Sequence, residues 1–183
     1  MKFTNTSQRW GLVIVVIHWL SAVTVISMFV LGLWMVDLNL YDRWYDAAPD
    51  IHKSIGITLL IVTLARLTWR LSNVTPEPMG THTAFEHKAA RLTHVLIYVL
   101  LFSIMLSGYL ISTADGRPID VFGLFEVPAT LHGVDKQQQE DIAGEVHLAL
   151  AIMLMMLVSV HALAAIKHHV IDRDRTLLRM FGM

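Results

Sequence analysis

The sequence predicts an all-α fold: an integral membrane four-helix bundle with both termini in the cytoplasm. Three observations carry that prediction. Four segments are long and apolar enough to span a bilayer, the basic residues gather on one side of them, and His147 and His161 lie fourteen residues apart inside the uncharged run 146–166. At ~100° per residue, fourteen steps come within ~40° of whole turns, so both imidazoles share one helix face. At ~1.5 Å rise they stand roughly 21 Å apart, most of a ~30 Å hydrocarbon layer.

Composition sets the frame. Of 183 residues, 55% are apolar and 16% charged, which is membrane-protein composition. The net charge of −1 gives no field that would recruit nucleic acid, so no nucleic-acid partner is expected. The absence of cysteine excludes disulfides, iron–sulfur clusters, zinc–thiolate sites and haem attached through C-x-x-C-H. Ten histidines remain as the strong metal ligands. The ten methionines show no pattern and read as packing or lipid-facing residues.

The elements follow in order. Residues 11–36 carry no charge, and although Lys2 and Arg9 precede them as in a signal peptide, the run far exceeds a 7–15-residue signal core and reads as a retained anchor. The second helix is predicted over 51–71, the third over 89–114 and the fourth over 142–168, with Glu145 near its start. Such runs must be helical, because lipid offers the backbone no hydrogen-bond partners. Thr75, Pro76, Glu77, Pro78 and Gly80 form a breaker cluster between the second and third helices. The loop 115–141 is long, with room for a short helix around Gln137. No internal repeat is present, so residues 1–183 read as one transmembrane domain.

Charge orients the bundle. The N-terminal tail, the link between helices two and three and the C-terminal tail hold ten of fourteen basic residues, which places all three in the cytoplasm. The outer segments carry four bases against eleven acids, leaving them at −7.

Orientation gives each histidine a depth. His18, about seven residues into the first helix, and His161, about five from the end of the fourth, lie toward the inner side. His52 and His147 open the second and fourth helices at the outer side. A single histidine in a membrane helix is often a polar residue satisfied by a neighbouring helix. Four that pair by depth across separate helices instead suggest axial ligands for two stacked b-type haems. His94, near the inner end of helix three, competes for the inner site and reads better as a partner of a haem propionate or a quinone. Arg66 and Arg70 share a face at the inner end of helix two; they suit haem carboxylates or serve as cytoplasmic anchors. His168 and His169 are expected to be solvated, and His82, His87 and His132 fall in loops. Trp10, Trp19, Trp34, Trp44 and Trp69 sit near helix ends, as in an aromatic belt. Gly32, Gly56 and Gly108 would admit close approach of a macrocycle or a helix.

On these residues the chain resembles the bacterial cytochrome b561 family over almost its whole length. The resemblance rests on Ile17, His18 and Trp19; on His52 with Gly56; on Arg66 and Arg70; and on His94 with Leu96, Ile97 and Tyr98. It continues through Phe122, Gly123, Leu124 and Pro128, then His147 and His161, and the tail with His168, His169, Asp174 and 176–180. It implies two non-covalent haem b groups held by His18, His52, His147 and His161, electron exchange with ubiquinone or another quinone, and a periplasmic donor. Some members are superoxide oxidases, superoxide:quinone oxidoreductases. The acidic outer segments depart from what steering of that anion favours. Two other readings of the same histidines are a metal or proton transporter, which the lack of acids inside the spans disfavours, and a haem-bearing anchor subunit of a larger redox complex.

Overall fold

The computed structural model describes residues 2–77, 83–131, 133 and 135–182. His82 and His132 fall outside the described residues. Four long helices, α1 (Leu12–Met35), α2 (Ala47–Ser72), α3 (Ala84–Ser112) and α4 (Lys136–Val170), are each long and apolar enough to cross a membrane. A hairpin of β1 (Ile119–Val121) and β2 (Phe125–Val127) lies between α3 and α4, and a single turn, α5 (Thr176–Arg179), follows α4.

Local chemistry sets the boundaries. Pro49 sits in the first turn of α2, where its missing N–H would have had no helical partner. Thr83 and Glu86 form a reciprocal capping box: Glu86 N–H donates to Thr83 Oγ1 at 3.2 Å, and Thr83 N–H to Glu86 Oε2 at 2.8 Å. This starts α3 five residues before the predicted position of 89. The Asp135 carboxylate accepts from Gln138 N–H at 3.0 Å and so caps α4. Gln137 is therefore helical as part of α4 itself, not in a separate short helix.

The hairpin was not expected. Ile119 pairs with Val127 and Val121 with Phe125, antiparallel. Phe122 and Gly123 both take positive φ, 55° and 69°, the sign pattern of a type I′ turn, whose twist suits a two-residue hairpin loop. The buried Ser54 of α2 fastens it, donating to the Asp120 carbonyl and accepting from Phe122 N–H, both at 3.2 Å.

The chain forms two compact units. Unit 1 comprises Met1–Ala22, Val62–Val99 and Leu154–Met183; unit 2 comprises Val23–Ile61 and Leu100–Met153. Each contains a segment of every long helix. Among the described residues the buried apolar side chains include Ile14, Val15 and Leu154 in unit 1 and Leu59, Leu101, Met105, Ile119, Val121 and Ala143 in unit 2. Val23, Val30, Ile61, Leu106, Met156, Val160 and Leu163 are exposed, as befits helices solvated by lipid.

In unit 1 the tails are knitted to the α2–α3 link. Asn5 Nδ2 donates to the Val74 carbonyl at 3.0 Å, and Glu77 N–H to the Ser7 carbonyl at 2.8 Å. Arg179 Nη1 donates to the Glu77 carbonyl at 2.8 Å, and Trp19 Nε1 to the Met180 carbonyl at 2.7 Å. Phe181 stacks on Trp19 with centroids 4.9 Å apart.

Candidate functional site

Each unit holds one of the expected histidine pairs. In unit 1, His18 of α1 and His161 of α4 face each other with ring centroids 6.5 Å apart. In unit 2, His52 of α2 and His147 of α4 lie 6.2 Å apart. Two metal–imidazole bonds of about 2 Å each set the coordinating nitrogens about 4 Å apart, and half a ring on either side brings the centroids to about 6 Å. Both separations therefore suit one ion between two imidazoles.

The unit 2 pair rests on glycine. A methyl group at Gly108 of α3 would stand 3.1 Å from His147 Cε1, and one at Gly32 of α1 would stand 3.4 Å from His52 Cε1. Each ring thus packs against bare helix backbone. Gly56 does not act this way; a methyl there would meet only Met28 Cε, at 3.9 Å. His147 Nδ1 lies 3.0 Å from the Ile104 carbonyl and 3.0 Å from Ser107 Oγ. His52 Nδ1 is buried with no hydrogen-bond partner.

The unit 1 pair has a cationic neighbour. Arg66 Nη2 lies 2.9 Å from His18 Nδ1, and a guanidinium can only donate, so Nδ1 accepts and the ring's proton sits on Nε2. Iron could bind Nε2 only in the other tautomer, with the proton on Nδ1, so the Arg66 contact would have to turn away as the site filled. Arg66 Cζ also lies 5.8 Å from the centre of the Tyr98 ring. Arg66 Nε and the Tyr98 hydroxyl are buried without partners, as is Trp69 Nε1 one turn along α2 from Arg66. Buried donors with unmet capacity are what a ligand bearing carboxylates would satisfy. Arg70, also one turn beyond Arg66, is half-buried. His94 reaches the same group, with its ring 5.4 Å from that of His161. That is shorter than an ion between the two rings requires, which leaves His18 as the better-spaced partner. Trp19 closes on His18 edge to face at 5.4 Å.

Two expectations change. The His168 side chain is 13% exposed rather than solvated, with Nδ1 2.7 Å from Asp172 and 3.5 Å from Asp174. His169 Nδ1 is buried without a partner. Glu86, His168 and Asp172 bring three potential ligand atoms within 4.8 Å of one another, but Lys167 Nζ bridges Glu86 and Asp172 at 2.9 and 2.7 Å, so the cluster carries its own cation.

These features fit b-type haem: paired imidazoles, two of them seated against glycine backbone, buried donors suited to carboxylates and no cysteine. Sequence reasoning missed Ser107, which in an apolar helix reads as ordinary packing.

Comparison with known proteins agrees with this chemistry. The family model for prokaryotic cytochrome b561 matches residues 9–183. Cytochrome b561 homolog 2 of Escherichia coli strain K12 is 50% identical over 182 residues, covering 100% of this chain and 96% of that protein. A probable superoxide oxidase, CybB, of Yersinia pestis is 30% identical over 90% of each chain. Cytochrome b561 homolog 1 of the same Escherichia coli strain is 24% identical, covering 94% of this chain and 97% of that protein.

Proposed function

The chain belongs to the prokaryotic cytochrome b561 family and is a multi-pass membrane electron-transfer protein of the b-haem type; on that premise we propose that it holds two haems and carries electrons from a periplasmic donor to a membrane quinone. The observation that supports this reading is the pair of imidazole couples, one per unit, at 6.5 and 6.2 Å. His18 and His161 hold one haem and His52 and His147 the other, within a single domain over 1–183. Each bound iron supplies reversible one-electron chemistry.

The residues do the rest. His147 is presented by Ile104 and Ser107, and the bare faces of Gly32 and Gly108 leave room for the ring. Arg66 lies beside His18, with its free Nε and the Tyr98 hydroxyl available to carboxylates. His94 and Arg70 border the same group. Positive-inside charge puts both termini on the cytoplasmic side of the inner membrane. Two one-electron donations and two protons reduce one quinone to quinol. Superoxide, which gives dioxygen on losing one electron, is the donor suggested by the relative named a probable superoxide oxidase. The −7 charge of the outer segments favours a neutral or cationic donor instead. Both donor classes belong in the assay.

The test is haem counted per chain on detergent-purified protein, with a reduced-minus-oxidised spectrum. Two haems in the wild type and one in His147→Ala are expected. A wild type with fewer than two, or a His147→Ala protein that keeps both, overturns the reading.

A further inference from the structure

We propose that Ser107 is a positioning residue that selects which nitrogen of His147 is offered to the haem and lowers the reduction potential of that haem. The proposal rests on the two-haem reading above.

The argument begins with a proton count. A serine hydroxyl has one proton to donate. Ser107 Oγ donates it to the Ile104 carbonyl three residues back, at 2.9 Å. Such back-bonding is common in helices and by itself means nothing. Its consequence here is that Oγ can only accept from the imidazole nitrogen 3.0 Å away, His147 Nδ1. The Ile104 carbonyl, also 3.0 Å from Nδ1, can only accept as well. Nδ1 therefore carries the proton, and the lone pair is left on Nε2, the nitrogen free to bind iron.

Ser107 is 5% exposed, so no solvent competes for the contact. A ligating imidazole that donates its other N–H becomes a more basic ligand, which favours the oxidised metal. The device is one-sided. His52, across the pair, has a buried Nδ1 without a partner. In unit 1 the contact runs the opposite way, because His18 Nδ1 accepts from Arg66. Of the four paired histidines, only His147 donates through Nδ1 to a serine and a carbonyl among the described residues.

The test uses purified holoprotein, with haem counted first. Wild type, Ser107→Ala and Ser107→Thr are then compared by optical redox titration and by the electron paramagnetic resonance of the oxidised haems. The unit 2 component is identified as the one missing from His147→Ala. Ser107→Ala is expected to raise that component's midpoint, shifting its oxidised-to-reduced ratio at fixed potential threefold or more (tenfold is about 59 mV for one electron). It should also move that component's resonance positions, with the unit 1 component unchanged. Ser107→Thr, which keeps the hydroxyl, should restore wild-type values. Loss of the unit 2 haem in Ser107→Ala but not in Ser107→Thr would equally support the assignment. It is overturned if Ser107→Ala leaves the unit 2 component unmoved, if the threonine variant shifts or loses haem as the alanine variant does, or if only the unit 1 component moves. A wild type with fewer than two haems overturns the two-haem reading itself, before Ser107 is tested.

Discussion

Gly108→Ala and Gly32→Ala introduce the same methyl group beside two facing histidines, yet they should behave differently. At Gly108 the new carbon would stand 3.1 Å from His147 Cε1 and 3.4 Å from Nδ1. The first distance is about 0.4 Å inside the ~3.5 Å edge of ordinary carbon contact, so the ring must retreat by that amount. His147 cannot retreat freely, because both Nδ1 contacts, at 3.0 Å, lie on α3 with the intruding methyl. Stretching the one N–H that the Ser107 hydroxyl and the Ile104 carbonyl share, worth about 0.5–1.5 kcal/mol, loosens the ligand. Replacing a helical glycine by alanine returns up to about 1 kcal/mol, so overall stability should change little. The site carries the loss: ligand-orienting contacts are typically worth about 10–100-fold in metal affinity. At Gly32 the nearest atom, His52 Cε1, is 3.4 Å away, at the edge of ordinary contact, and Nδ1 is 4.0 Å away. The assay is haem per chain at limiting haem, with thermal unfolding measured in parallel. Gly108→Ala should lose the unit 2 haem with little change in melting temperature, while Gly32→Ala keeps both haems. Full haem in Gly108→Ala, or equal loss in the two variants, would refute the reasoning.

Three further outcomes are expected. Ser54→Ala removes both fastenings of the hairpin and leaves Phe122 N–H without its acceptor, costing about 1–3 kcal/mol locally; hydrogen exchange at the Phe122 amide should quicken while exchange within α1 does not. Trp19→Phe keeps a ring to stack on Phe181 but deletes the N–H to the Met180 carbonyl, a loss of about 0.5–1.5 kcal/mol; carboxypeptidase should then trim the C-terminus faster than in wild type. The Asp115 carboxyl, outside the spanning helices, is held below the usual carboxylate range first by the Arg117 backbone N–H and then by the Arg117 side chain. Its contribution is therefore present above the ordinary carboxylate range and is lost as pH falls through the lowered value. Carbon NMR should find Asp115 titrating below a model peptide, with part of the depression lost and part surviving in Arg117→Ala, which keeps the backbone donor.

The four spans were legible because lipid imposes length and apolarity together, and the two histidine pairs because a helix converts spacing into depth. Less obvious were the ends. The box formed by Thr83 and Glu86 is written in the sequence as T-x-x-E and extends α3 into polar territory that an apolar window ignores. Asp135 does the same for α4, whose first turns are too polar to be seen as membrane helix. The hairpin escaped notice because each strand is three residues long, too short for alternation to register, and its turn uses Phe122 where asparagine or glycine would have been the signal. Ser107 and the Ile104 carbonyl depend on which faces of α3 and α4 meet, which periodicity in either helix alone does not fix.

The knitting of both chain ends into unit 1 also sets a clock. Trp19 leaves the ribosome early, yet its carbonyl partner, Met180, lies 161 residues later. At about 5–20 residues per second, roughly 8–30 s separate their synthesis. Unit 1, which contains the first turns of α1, thus waits for 161 further residues before this contact can form, however early α1 itself enters the membrane.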